Sequence, residues 1–408
     1  MSVSIWALVI VALVRIEKSD NAQMPVYQWI MQYLQVWKWQ MIPPQYASPL
    51  GSYSSLFFRN PAYVAVTLSF FIVVVSGLWS EDVGYWLTRV RIKIPLLVLP
   101  IAFCMIPPLS ARQFWRVWYF FFMVFTLFSI YHLCYYFTHF DASNKGLGQG
   151  IPIKSFKSHI VFTTMAAFAV MVGIELWQQK ITLKYKWESR MVLISTILLI
   201  VALHIFSVRT GLLTLYVCLF VKIIMYIFKQ RKIIMGLIAL SLMALIPIIA
   251  YTYIPSFTQR VNYTIWDFQQ YNAGNKADKS DSGRLVSLKV GLEIARENPI
   301  LGVGFGDVIR EVSKKYEKEY PSMLPREPHS FLLFTVVGAG LVGLIIWFAA
   351  VLIPIFYKQA YRNALFLFFN IIFIFNNIID YIVEGTHWSI FYAFAVSLFI
   401  HFIHQKET

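Results

Sequence analysis

Three basic side chains in this 408-residue sequence sit where their chemistry has a use. His329 stands in Glu327-Pro328-His329-Ser330, where a long polar stretch runs into an apolar one. An imidazole titrates near neutral pH and can take a proton from a hydroxyl. A lone histidine is more often structural. The adjacent proline and the place at a bilayer surface single this one out. Arg284 stands in Asp281-Ser282-Gly283-Arg284, where apolar periodicity predicts the start of a helix with Ser282 as its N-cap. Free N–H groups at a helix start and a guanidinium together favour an anion. Arg209 stands between two apolar runs, at the end of a tight helical hairpin. It reads either as a snorkelling interfacial arginine or as part of an anion site.

Supporting groups follow from position. Asp380 and Glu384 lie at the matching end of a later apolar run. They orient His329, bind a substrate hydroxyl, or cap a helix. Gly338, Gly340 and Gly343 follow His329 within one apolar segment. They read as small-residue helix packing, which would fix the helix that carries His329.

Other chemistries are excluded. Gly302-Val303-Gly304-Phe305-Gly306 lacks the strand and the GK[ST] of a phosphate loop. No His, Asp and Cys cluster has metal-ligand spacing, and Cys104, Cys134 and Cys218 lie far apart inside apolar runs. Neither a metal nor a cofactor is expected.

The elements that must position these residues are membrane helices. The sequence is 58% hydrophobic and 13% charged, against about 25% charged in a soluble domain. Spans are expected at 62–78, 115–137, 155–178, 191–206, 211–228, 233–250, 330–356, 363–381 and 387–404. A helix from Tyr85 to 106 adds another, and segments 2–14 and 26–42 are marginal. About twelve spans result, with about eleven as the alternative. The fold class is therefore an all-α polytopic membrane protein with one large extramembrane loop containing helices. Residues 1–250 form the N-terminal transmembrane helices, 251–329 the large loop and 330–408 the C-terminal helices.

The net charge of +15 does not indicate nucleic acid. Residues 251–329 carry eleven Lys/Arg and ten Asp/Glu, so the excess lies elsewhere, much of it in short loops. Lys180, Lys184, Lys186 and Arg190 share one loop, Lys229, Arg231 and Lys232 another, and Lys358 and Arg362 a third. Alternating spans put all three on one side, which is the cytoplasmic one. The loop 251–329 then faces outward. Arg89, Arg91 and Lys93 break the pattern, because this topology also turns them outward. A transporter is the competing class, but no inverted repeat is visible and the polar candidates gather on one face instead of the midplane.

The landmarks, taken in order, resemble a known family. His329-Ser330, nine residues, Gly340, two residues and Gly343 resemble the H-[NSQ]-x9-G-x-x-[GTY] signature of O-antigen ligases. Ser207-Val208-Arg209-Thr210-Gly211 resembles the S-x-R-x-G element of that superfamily. Ser282-Gly283-Arg284, followed by Pro299-Ile300-Leu301-Gly302-Val303-Gly304, resembles its loop stretch, and Trp79-Ser80-Glu81-Asp82 a further element. The likeness is strongest over about 190–360.

The resemblance implies a GT-C-like glycosyltransferase architecture in the bacterial inner membrane, with the loop and active site facing the periplasm. It implies transfer of a glycan from an undecaprenyl-pyrophosphate donor to an acceptor hydroxyl, inverting and without a metal. The acceptor is lipid A core, or another glycan or a protein hydroxyl in the related polymerases and O-oligosaccharyltransferases. Arg209 and Arg284 would hold the donor pyrophosphate, and His329 would assist deprotonation of the acceptor. Ser282, Asp380 and Glu384 would support them. Membrane lipids are the other partners.

Overall fold

A computed structural model describes residues 57–404 except 156–157, 182–183 and 274–279. The marginal segments 2–14 and 26–42 lie outside the described residues. All regular structure among those residues is helical. In chain order the helices are α1 (Pro61–Ser76), α2 (Val83–Cys104), α3 (Ala111–Thr138), α4 (Phe140–Gly148), α5 (His159–Gln178), α6 (Glu188–Phe206) and α7 (Arg209–Gln230). They continue with α8 (Ile233–Tyr253), α9 (Pro255–Asn272), α10 (Ser280–Glu297), α11 (Val308–Glu319), α12 (Phe331–Phe356), α13 (Ala364–Ile379) and α14 (Thr386–His404). Seven of these are long and apolar enough to cross a membrane: α3, α5, α6, α7, α8, α12 (extended to Arg362) and α14. Helices α1 and α13 are equally apolar but shorter.

Aromatic rings build the centre of the bundle. Phe114 of α3 stacks on Phe402 of α14 at 3.9 Å, Phe121 on Phe391 at 5.2 Å, and Phe373 of α13 on Tyr392 at 3.6 Å. Phe168 of α5 meets both Trp118 and Phe369 edge-on. Flat rings pack closely in offset or edge-to-face arrangements. They supply the attraction that hydrophobicity cannot give between helices in lipid. Helix α8 is the opposite case. Its outer residues Ile234, Leu237, Leu242, Leu245 and Ile248 are exposed, as suits a helix facing acyl chains.

Helix α12 is broken at Gly340, whose φ of 64° and ψ of −167° are not helical. The break is filled from outside. In a regular helix Leu341 and Val342 would donate to the carbonyls of Val337 and Gly338. Here Leu341 donates to Pro299 at 2.9 Å and Val342 to Ile300 at 3.3 Å. The released carbonyls of Val337 and Gly338 accept from Val303 at 2.8 Å and Gly304 at 3.0 Å. The loop after α10 is thus laced into α12 with every displaced backbone group paired, as irregular backbone in a bilayer requires. The glycine run was expected to serve helix packing. Gly343 does face Ile72 of α1, but Gly338 and Gly340 admit this loop instead. A Cβ on Gly338 would stand 2.6 Å from Phe305, and one on Gly340 2.0 Å from the Ile300 carbonyl oxygen.

The same loop also ties down the start of α2. Asp307 accepts from the N–H groups of Glu81 and Asp82 at 2.8 and 3.0 Å. Ser80 Oγ accepts from Gly306 N–H at 3.1 Å, and Asp82 caps α2 by accepting from Tyr85 at 2.9 Å. This explains the Trp79–Asp82 element: it is the socket for the glycine-rich loop.

Candidate functional site

The site is organised around the N-terminal half of α10. Ser287 Oγ accepts from the His329 backbone N–H at 3.2 Å and donates to the Arg284 carbonyl at 2.8 Å. One turn on, Gly291 has no side chain because Pro328 lies against it; a Cβ there would stand 2.7 Å from the proline ring. Helix α10 therefore carries Arg284 and seats the His329 backbone with the same face. Neither Ser287 nor Gly291 carries a sequence signal of its own.

From the other side, the segment after α13 closes on His329. The Phe331 N–H donates to the Asp380 carbonyl at 3.0 Å, and the Tyr381 ring meets the imidazole edge-on at 4.7 Å. Asp380 pairs with Arg284 at 3.4 Å. Burial pushes the Asp380 carboxyl upward, while Arg284 and the Tyr381 N–H pull it down. Of the roles open to Asp380, orienting the Arg284–His329 unit fits these contacts.

The imidazole is held neutral. Burial, and then Arg284, push His329 down to about 4. Its Nδ1 lies 3.4 Å from the Glu327 carbonyl. A carbonyl only accepts, so that contact places the ring proton on Nδ1 and leaves Nε2 its lone pair. This is the form a general base needs.

Arg209 opens α7, two residues after Ser207, which turns the chain in the left-handed region at φ 54°. Its guanidinium pairs with Asp281, and also donates to Thr264 of α9 at 3.2 Å. Asp281 is three residues from Arg284, so α10 joins both arginines. Arg209 is thus tied to α9 and α10. Helix α10 begins at Ser280, and Asp267 of α9 accepts from the Asp281 N–H at 2.8 Å. Ser282 therefore lies buried within the first turn instead of capping it. The carboxylate of a neighbouring helix stabilises this end instead, a tertiary contact with no local pattern.

Glu384 does not reach the imidazole. It pairs with Lys93 of α2 at 2.6 Å and with Arg89 at 3.3 Å. Arg89 also pairs with Glu327, which Tyr85 contacts as well. Lys93 adds a hydrogen bond to the Val383 carbonyl at 3.0 Å. Thus Arg89 and Lys93, which did not fit the loop-charge rule, are interior charges matched by two carboxylates. Together they bind the segments on both sides of His329 to α2. The side chains of Lys93 and Glu384 are 2% and 3% exposed, so neither tolerates loss of its partner. Lys93→Met should cost about 3–5 kcal/mol, the usual penalty for stranding a buried charge. Adding Glu384→Gln should recover part of that loss. Thermal melting of the three purified proteins checks this; a single variant as stable as wild type would refute it.

Other histidines have structural partners. His204 bonds Tyr216 at 2.7 Å, His401 lies 3.1 Å from the Pro107 carbonyl, and His404 bonds Asn60 at 2.9 Å.

Taken together, this is a polytopic helical membrane protein. A neutral imidazole and two carboxylate-held arginines meet at one end of its bundle. Residues 194–348 match the family model described as O-antigen ligase, a stretch that holds Arg209, Arg284, His329 and the three glycines. The match supports the O-antigen ligase superfamily, the one that the motif order resembles. No curated protein matches the chain.

Proposed function

We propose that the chain is a membrane glycosyltransferase that moves a glycan from an undecaprenyl-pyrophosphate carrier to an acceptor hydroxyl. Lipid A core is the proposed acceptor. The observation that carries this reading is the convergence on α10 of Arg209, Arg284 and His329. Nε2 takes the proton of the acceptor hydroxyl. The hydroxyl oxygen attacks the anomeric carbon from the face opposite the carrier. The bond from that carbon to the pyrophosphate oxygen breaks, and its electron pair stays on the pyrophosphate. The arginines stabilise the charge that develops there. Inversion follows from the single displacement.

The site lies at the end of the bundle away from the basic loops around Lys184, Arg231 and Arg362. With those loops in the cytoplasm, the site faces the periplasm. We read residues 251–329 as the periplasmic loop, between N-terminal and C-terminal sets of membrane helices within about twelve spans.

The test is transfer in vitro. Purified protein is given a lipid-pyrophosphate-linked glycan and lipid A core. Glycan attached to the core is the expected product. Longer lipid-linked glycan would make the protein a polymerase, and glycosylated protein an O-oligosaccharyltransferase. No donor consumption with any acceptor would refute the glycosyltransferase reading.

A further inference from the structure

A third arginine stands beside the two that the sequence marks. Arg260 lies on α9, one turn before Thr264. Thr264 Oγ1 donates to the Arg260 carbonyl at 2.8 Å and accepts from Arg209 at 3.2 Å. The two arginines are thus linked through a single threonine. Arg260 feels the charges of Arg209, of Asp281 and of Arg284, and with Arg284 it acts on His159 at the start of α5.

The three guanidinia differ in their partners. Arg209 is paired with Asp281 and Arg284 with Asp380. Among the described residues, the contacts of Arg260 are neutral: the Gly150 carbonyl at 3.1 Å and the face of Tyr263 at 5.6 Å. The fold takes trouble over that placement. Gly150 is left-handed at φ 85°, and a Cβ there would stand 2.5 Å from the Tyr263 ring. Burial, and then Arg209, lower the Arg260 pKa, as expected for a cation held in place before its anion arrives.

We propose that Arg260 is a third ligand of the donor pyrophosphate and sets the preference for a diphosphate lipid over a monophosphate one. This rests on the reading of the site as a lipid-pyrophosphate site. The charge balance supports it. Arg209 and Arg284 each arrive opposite a carboxylate, so the pair offsets less than its formal charge and suffices for one phosphoryl group. A second phosphoryl group needs another cation, and Arg260 is the one that, among the described residues, has no carboxylate in ion-pair contact. Its planar fork can bind two phosphate oxygens together.

The experiment uses the full-length protein in detergent. Wild type, Arg260→Gln and Arg260→Lys are compared for donor KM, acceptor KM, and inhibition by free undecaprenyl pyrophosphate and undecaprenyl monophosphate. Arg260→Gln should raise donor KM about tenfold or more, the scale of a charge-assisted contact. It should leave acceptor KM unchanged and erase most of the selectivity between the two lipids. Arg260→Lys should fall between. If Arg260→Gln does not fold, Arg260→Lys decides alone through its donor KM and selectivity. Wild-type values in the variant, or a fall in kcat with selectivity intact, would overturn the proposal and leave the donor site standing. A wild-type protein that prefers neither lipid would overturn the donor reading and this inference together.

Discussion

Replacing His329 by Ala should cut transfer by about 10²–10⁴-fold, the range for loss of a positioned base. The loss should fall on kcat, because the backbone N–H of residue 329 still reaches Ser287 and the arginines keep their partners. Binding of the donor lipid should therefore survive. Measuring single-turnover transfer and donor affinity on the same preparation separates the two. A variant that turns over normally would remove His329 from the chemistry. One that loses donor affinity as well would make it a binding residue.

The pH profile gives a second handle on the same group. The imidazole is depressed from 6.5 to about 4 by burial and by Arg284. It is thus unprotonated through the neutral range. The sign is fixed: a group depressed on folding is in its working form above its folded value. Activity should stay level from about pH 7 to 5 and fall as pH drops through about 4. The stability contributed by keeping the ring neutral is fully present above 6.5 and is lost progressively as pH falls from there to about 4. Asp281→Asn offers a control, since it touches Arg209 and not the imidazole. A wild-type midpoint near 6.5 would mean that the ring is solvated in the working enzyme.

How much of this was legible in the sequence depends on the range of each interaction. Seven of the expected spans were, because hydrophobicity is summed along the chain itself. His329 and Arg209 stood out because each lies at the edge of an apolar run where a charge is conspicuous, and Arg284 because it lies at the expected start of a loop helix. The structure does bring all three together. Arg260 was not legible. It sits in a polar amphipathic helix whose one other charge is Asp267, and only the tertiary contacts of α9 reveal it. Arg89 and Lys93 were visible as an anomaly in loop charge. Their partners Glu327 and Glu384 are more than two hundred residues away in the chain, so no local rule could resolve it. Ser282 shows the opposite error. A local capping rule was applied where the carboxylate of Asp267 had already done the work.

The glycines are the sharpest case. Three glycines spaced along one apolar helix carry the same letters whether they pack a neighbour or interrupt the helix. Gly340→Ala tells these roles apart. At φ 64° and ψ −167° the backbone is in a region that is essentially glycine-only, at about 1–3 kcal/mol for another residue. The added methyl also meets a backbone carbonyl at 2.0 Å, which cannot rotate away as a side chain can. One relief is to push out the Pro299–Gly304 strand, which strands the displaced N–H and carbonyl groups of α12 inside the membrane. That segment follows directly after α10, so Arg284 and the seat of His329 would move with it. The expected result is severe loss of folded protein, and little activity in what remains. Gly338→Ala should be milder, because the obstacle there is the Phe305 ring, which can shift. Gly343→Ala serves as the packing control. Comparing yield and melting temperature of the three proteins orders them. If Gly340→Ala were no worse than Gly343→Ala, the laced loop would not be what holds Arg284 and His329 in register.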